Sequence, residues 1–433
     1  MLVKFRLENY KSFDREQSIS FKAGASRNHT DHVVDVKGTK ILRMAAIFGA
    51  NASGKSNLIQ AMRASQMKIL HNIGISPGDY CRMIPGNDKK PTSFEYIIEI
   101  EGTFYSYGFE ILLSSGEVKT EWMKNLSDKS QNAFIFFRDE NKIEPGIKLT
   151  KDEEKYFFVY SNEVMQDRTK LFLNALSRMP DLGTGKLALS KKIFFWFVSS
   201  LRIILAGEPS GFKSEAKVEF TGKVIQRYGT GVSGMRYEQV SREESQIPRG
   251  ILEDILETKA GPGVKGIEGS IPLKKSMFHV RLAAGHNPEI KKILFDHYGV
   301  PFEYGEESDG TSRLMELLPM LDESDSGVHT YVIDELDRSL HPQLTQKIVR
   351  DFGELDPKLK RQLIVTTHES RLMDLSLLRR DEIWFVEKKE DGTSEIYSLE
   401  AFSERKDRRI GKAYLDGRYG AVPCFREFFP DLE

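Results

Sequence analysis

The chain has 433 residues, 39% hydrophobic and 29% charged, and its 63 Lys and Arg against 64 Asp and Glu leave a formal net charge of −1. That composition excludes a disordered or fibrous chain and supplies enough apolar side chains for one large core or several ordinary ones. The near-zero charge removes any whole-chain electrostatic case for nucleic-acid binding, which then needs a local basic face.

The N-terminus, MLVKFRLENYKSF, is charged throughout and has no apolar segment of the signal-peptide kind. Alternating residues from Leu2 to Leu7 predict a strand with one buried face. An apolar run from Ile41 to Phe48 stops at Gly49-Ala50-Asn51-Ala52-Ser53-Gly54, and helix-forming residues from Lys55 to Met62 follow. The reading is strand, glycine-rich turn, helix. Two alternating runs between Phe94 and Leu113 flank Glu101-Gly102-Thr103 and predict an antiparallel hairpin. Helical spacing marks about 150 to 210, with Leu171, Phe172, Leu176 and Met179 on one face. The most apolar stretch, Ile193 to Ala206, is too short to span a bilayer and contains Arg202, so a buried helix is expected. Gly, Pro, Ser and charged residues between about 207 and 275 predict loops or a small irregular lobe. Strands at Thr330–Ile333 and Gln362–Thr366 enclose a helical stretch from about His341 to Phe352. That order implies a parallel sheet with its chemistry at the carboxyl ends of the strands. Cys81 and Cys424 lack metal-ligand spacing and are expected as free thiols of a cytoplasmic protein.

Gly49 to Ser56, GANASGKS, fits the phosphate-loop pattern G-x-x-x-x-G-K-[ST]. Its glycines let backbone N–H groups wrap phosphates, Lys55 adds a cation, and the Ser56 hydroxyl can ligate Mg²⁺. Gly49, Asn51, Ser53, Gly54, Lys55, Ser56 and Asn57 are the candidate ATP contacts, against the blander reading of an ordinary turn. Tyr331-Val332-Ile333-Asp334-Glu335 is an apolar strand ending in two acids. Asp334 can support the metal and Glu335 can orient and deprotonate water. A solvated strand end is the competing account when that segment is taken alone.

Three further segments follow in order: Ser308-Asp309-Gly310-Thr311-Ser312 before an apolar helix, Asp337 just past Glu335, and His368 after the second strand. The first can equally be a helix N-cap. With LENYKSF, VIDELDRSLHP and LIVTTHES they resemble the SMC/RecF/OLD-like ABC ATPases of prokaryotic defence islands, the group holding the RloA/AbiLi-type proteins and the AriA ATPases of PARIS systems. The resemblance covers both ends of the chain well and about residues 125 to 275 poorly. It implies an α/β fold of the ABC/SMC-type P-loop ATPase head, with a mixed sheet flanked by helices and an antiparallel N-terminal lobe. Residues 1–150 and 275–433 are then the two halves of the head, and 151–274 a helical and irregular insertion.

By the same resemblance, Lys55, Glu335 and His368 carry hydrolysis of ATP with Mg²⁺ on Ser56 and Asp334, and His368 senses the γ-phosphate. Ser308, Gly310 and Asp337 act across a head-to-tail ATP-sandwich dimer or higher oligomer of the chain with itself. SDGTS stands where the family has LSGGQ, and Gln166 is a poor candidate for the family's further glutamine. No two aspartates have the Asp-x-Asp spacing of a Toprim nuclease, and 65 residues follow His368. The chain is therefore not expected to be a nuclease itself. A separately encoded effector, with a Toprim-type nuclease as candidate, and a phage-protein trigger are the implied partners; no membrane is implied. The alternative is a RecF-like DNA-repair ATPase, for which Lys274-Lys275, Lys358-Lys360-Arg361 and Arg405 to Arg409 are the candidate basic faces.

Overall fold

The computed structural model describes residues 1–127, 134–180, 185–207, 214–248, 250, 266–283, 287–402 and 410–423. Two compact units divide the chain: Met1–Leu205 with Ser326–Leu336 and Asp356–Glu433, and Ala206–Asp325 with Asp337–Leu355. Bounds at 150 and 274 do not coincide with these units. The helices after residue 150 stay in the first unit because Phe157, Val164, Leu171, Phe172 and Leu176 join the same buried cluster as Phe5, Leu58 and Tyr96.

The first unit opens with β1 (Leu2–Glu8), β2 (Gln17–Ser20), β3 (Val33–Val36), β4 (Thr39–Leu42), β5 (Met44–Phe48) and α1 (Lys55–His71). There follow β6 (Thr92–Ile100), β7 (Thr103–Leu112), β8 (Glu117–Asn125), β9 (Phe134–Arg138) and β10 (Ile143–Pro145). A seven-stranded sheet runs β10-β9-β8-β7-β6-β1-β2, antiparallel at every pairing. The expected hairpin is β6–β7, whose turn residues Glu101 and Gly102 both take positive φ, 51° and 77°. That is the twist two antiparallel strands need.

The apolar run from Ile41 to Phe48 is two strands rather than one. It breaks at Arg43: β4 pairs with β3, whereas β5 enters a parallel sheet. Arg43 is buried, and its Nη1 donates to Asp31 O at 2.9 Å, so a charged corner side chain finds its partner inside the fold.

Beyond residue 150 lie α2 (Lys151–Gln166), α3 (Phe172–Ser177) and α4 (Ala188–Phe195). The stretch Ile193 to Ala206 is only partly a buried helix. It leaves α4 through a π-helical turn at Trp196–Ser200 and becomes β11 (Leu201–Ile204). Gln66 Nε2 on α1 donates to Phe197 O and Leu201 O at 2.9 and 3.0 Å, satisfying carbonyls at the changeover. Trp196 and Phe197 pack edge-on to each other and to Tyr96, which gives that aromatic cluster a core role.

The second sheet of this unit is β11-β17-β18-β5-β19-β20, with β17 (Thr330–Ile333), β18 (Gln362–Thr366), β19 (Ile383–Lys388) and β20 (Ser394–Ser398). Its first five strands are parallel and β20 is antiparallel. Every residue of β5 and β18 is buried, as in strands covered on both faces. Gln362 is also buried and fully bonded. Its amide donates to Leu2 O and Leu42 O and accepts from Leu2 N and Thr330 Oγ1, so one side chain joins the starts of β1 and β17 and the end of β4.

The second unit holds α5 (Glu215–Val224), β12 (Gly234–Gln239), α6 (Arg242–Ser245), β13 (Gly266–Leu273), β14 (Ser276–Ala283), β15 (Glu289–His297) and β16 (Val300–Phe302). Two further helices are α7 (Asp309–Leu317) and α8 (Pro342–Gly353). The described part of 207–275 is thus more regular than a loop-rich lobe. β12 lacks an alternating pattern because no residue of it is buried, and its pairing partner β15 lies some fifty residues later in the chain. Ile247, Phe278, Val280, Leu282 and Ile290 form a core there. Cys424 and Arg405 to Arg409 lie outside the described residues.

One buried network ties sheet to helix in the first unit. The Glu121 carboxylate on β8 accepts from Phe172 N and Leu173 N at 2.7 and 2.9 Å, capping α3, which has no side-chain cap of its own. It also accepts from Tyr107 Oη and pairs with the buried Arg138 at 3.5 Å. Burial pushes the Glu121 carboxyl above its usual range, against the pull of Arg138 and the two amides. Glu121→Ala leaves Arg138 uncompensated and the start of α3 unsatisfied, so it should lower the unfolding free energy by about 3–5 kcal/mol in denaturant titration.

Candidate functional site

Four neighbouring parallel strands end on the same side, and the chain just past each end carries the residues singled out from the sequence. β5 runs into Gly49–Gly54 and α1. A Cβ on Gly49 would meet Val386 O at 2.3 Å, and one on Gly54, which has φ +114°, would meet Ser394 Oγ at 2.5 Å and Ser12 Oγ at 2.8 Å. The loop is therefore cast against β19, β20 and the β1–β2 connection at positions where only hydrogen fits. Lys55 is buried and its Nζ donates to Gly49 O and Ala50 O at 2.8 and 2.9 Å.

β17 delivers Asp334 and Glu335. Asp334 is buried; its Oδ1 accepts from Ser56 Oγ at 3.2 Å and from Thr366 Oγ1, at the end of β18, at 2.5 Å. Glu335 is half-buried with φ 49°, and its N–H donates to the same Thr366 hydroxyl at 2.8 Å. β18 leads to the exposed His368, and Lys388 is the last residue of β19. Asn51 to Asn57, Glu335, His368 and Lys388 line one open cavity of about 700 Å³. That volume is in the range of small-molecule sites, roughly 300–1,000 Å³.

Lys11, Ser12, Asp79 and Arg82 complete the wall and were not singled out from the sequence. Asn9 and Lys11 take positive φ, 51° and 49°, folding the β1–β2 connection tightly. Asn9 then bonds Cys81 N, Asn87 O and Lys90 O, holding the 78–90 segment against it. Ser12 Oγ accepts from Asn57 Nδ2 at 2.9 Å, and Ser12 O accepts from Ser394 N at 2.7 Å. The signals in the sequence are the segments YKSF and LRRDEIWFVEKKEDGTSEIYSL of the family resemblance, the second of which holds Lys388; nothing local marks Asp79 or Arg82. Burial pushes the adjoining Cys81 thiol up.

The cavity presents four cationic side chains, Lys11, Lys55, Arg82 and Lys388, against two acids, Asp79 and Glu335. Such a balance favours an anionic ligand. The Ser56 hydroxyl and the Asp334 carboxylate are hard oxygen donors of the kind Mg²⁺ takes.

Ser308, Gly310 and Asp337 belong to the second unit. Ser308 is the N-cap of α7, its Oγ accepting from Thr311 N at 3.1 Å, so the capping account of SDGTS describes its local structure. Gln166 ends α2 and is not among the residues lining the cavity. Of the candidate basic faces, Lys358-Lys360-Arg361 is not an open one: Arg361 is fully buried and Lys360 pairs with Glu99 at 3.1 Å.

Residues 208–374, less than half of the chain, match the family model described as an AAA domain, putative AbiEii toxin, type IV TA system. The phosphate loop at 49–56 lies outside that match. A sequence comparison with curated proteins finds no match. Among solved structures the chain is similar to an SMC head bound to the C-winged-helix domain of ScpA, with 16% identity, 92% of this chain and 98% of that one covered, and a TM-score of 0.41. It is similar also to the SMC head domain from Thermotoga maritima, with 15% identity, 92% and 98% coverage and a TM-score of 0.37. A Pyrococcus furiosus Smc head with an extended coiled coil, bound to the C-terminal domain of ScpA, gives 14% identity, 96% and 99% coverage and a TM-score of 0.36. Among the described residues no helix is long and apolar enough to cross a membrane.

Gly54 and Gly38 separate strain from crowding: Gly38, at φ +87°, has nothing near its missing Cβ. Both Ala variants carry the left-handed strain, but Gly54→Ala also overpacks the loop. Denaturant titration should show it the more destabilised by about 1–3 kcal/mol. The fold that carries this cavity is a mixed α/β P-loop fold, in which a strand, a glycine-rich loop and a helix face the carboxyl end of a neighbouring strand that bears two acids.

Proposed function

We propose that the chain is a Mg²⁺-dependent ATPase that closes head to tail on a second copy of itself when ATP binds. In this reading it acts as sensor and scaffold for a separately encoded toxic effector in anti-phage defence. The single observation that carries the ATPase reading is the 3.2 Å contact between Ser56 Oγ and Asp334 Oδ1, beside Lys55 and Glu335.

The amides of the 49–56 loop and the first turn of α1 offer donors to phosphate oxygens, and Lys55 adds a positive charge there. Ser56 and Asp334 would hold Mg²⁺, which when bound neutralises charge on the phosphate oxygens. Glu335 orients and deprotonates the attacking water, with its backbone fixed by Thr366. His368 reaches the γ-phosphate from the carboxyl end of β18. Ser308 and Gly310, at the N-terminus of α7, face the partner copy's nucleotide, with Asp337 at the contact between copies. ATP then supplies the differential contacts that favour the closed state, and hydrolysis removes them. The likeness of residues 208–374 to a family described as an AAA domain and toxin of a type IV toxin–antitoxin system supports the defence setting. A Toprim-type nuclease is the candidate effector and a phage protein the candidate trigger.

Glu335→Gln should bind ATP with wild-type affinity and hydrolyse it at least about a hundredfold more slowly, as loss of a water-activating base requires. The same variant should run as a closed oligomer on size exclusion with ATP; unchanged turnover would remove Glu335 from its role. Ser308→Arg should keep ATP binding and lose hydrolysis. Normal turnover by a strictly monomeric Ser308→Arg protein would refute the trans-acting arrangement.

A further inference from the structure

Away from the cavity, the segment ahead of β3 gathers three side chains with metal-ligating atoms. His29, Asp31 and His32 each offer one such atom, and the three lie within 4.8 Å of one another. We propose that these side chains form a site for a divalent transition-metal ion of the zinc class, independent of the nucleotide reading above.

The local turn explains why they meet. Thr30–His32 is a single 3₁₀ turn, entered from His29 in the left-handed conformation at φ 48° and ψ 61°. In a three-residue period, positions i and i+3 lie over one another, and the two imidazoles stack with centroids 4.7 Å apart and planes 20° from parallel.

Each imidazole is oriented through one nitrogen. His29 Nε2 is 2.8 Å from Leu375 O, and His32 Nδ1 is 3.1 Å from Glu382 Oε2. A carbonyl and a carboxylate oxygen accept, so those nitrogens carry the protons, and in the neutral rings His29 Nδ1 and His32 Nε2 keep their lone pairs. Carbonyl and carboxylate partners behind a histidine are the outer shell that fixes tautomer and ring orientation in metal sites. The backbone on either side is also anchored. Arg379 donates to Ser26 O and Asn28 O at 3.1 and 2.7 Å, and Arg43 donates through Nη1 to Asp31 O and through N to His32 O.

Two imidazoles and one carboxylate are a donor set for Zn²⁺. Zn–ligand bonds of about 2.0–2.2 Å require the donors to draw in, which the exposed Asp31 and half-buried His29 can do by side-chain rotation. Glu382, the partner of His32, is fully buried, and its Oε2 also accepts from Arg379 N at 2.7 Å. The ligands come from one turn, and their imidazoles already tie that turn to residues some 350 positions later in the chain.

The test uses the full chain, stripped with EDTA and titrated with Zn²⁺ in the absence of nucleotide. The wild type should take up one equivalent that Asp31→Asn and His29→Ala each weaken by at least about tenfold, and Zn²⁺ should raise the wild-type melting temperature more than either variant's. Co²⁺ in the wild type should give intense visible d–d absorption of a four-coordinate site without thiolate charge transfer, a readout that needs no variant to fold. The proposal is overturned if the wild type takes up no Zn²⁺, if the variants bind it as the wild type does, or if bound Co²⁺ shows only the weak spectrum of six-coordinate aqua ion.

Discussion

The site rests on one buried carboxylate. Asp334 is almost wholly removed from water and is held by Ser56 Oγ and Thr366 Oγ1. A buried charge without hydrogen bonds is costly, so these two hydroxyls are a condition of its being there. The three residues come from three elements: Ser56 in the first turn of α1, Thr366 closing β18, Asp334 just after β17. The contact therefore fixes the start of α1 and two strand ends relative to one another. Thr366 does a second job, because its Oγ also accepts from Glu335 N and sets the backbone from which that side chain enters the cavity.

Strand direction does the rest. Because β17, β18, β5 and β19 are parallel, their carboxyl ends lie together, and residues separated by hundreds of positions face one volume. The glycine loop fits only because Gly49 and Gly54 leave room for Val386 O and for the Ser12 and Ser394 hydroxyls. This crowding couples the loop to the β1–β2 connection and to β20. That coupling is why Lys11 and Ser12, some forty residues before the phosphate loop, stand on the cavity wall.

The same architecture leaves buried polar groups at its seams, and several are answered from a distant part of the chain. Gln362 joins β1, β4 and β17, Glu121 caps α3, and Gln66 satisfies the turn where α4 gives way to β11. The His29–His32 turn follows this pattern, its rings set by Leu375 and Glu382 and its backbone by Arg43 and Arg379. Glu382 Oε1 is one of several buried polar atoms among the described residues without a hydrogen-bond partner, and it lies next to a cluster of potential ligands.

Local pattern by itself determined β1, the β6–β7 hairpin, the strand–loop–helix at 44–71 and the strands β17 and β18, because each is written in a short periodic run with turn residues at its ends. It also determined that Asp334, Glu335 and His368 stand just past strand ends. It missed the break at Arg43, the strand within 193–206 and the sheet within 207–275, because each depends on a partner strand distant in sequence. Arg82 and Asp79 were equally invisible: a lone charged residue after a helix carries no pattern of its own. Only tertiary structure decided that they and Lys388 share a cavity with the phosphate loop, since parallel pairing and the Asn9 anchor, not spacing along the chain, bring them there.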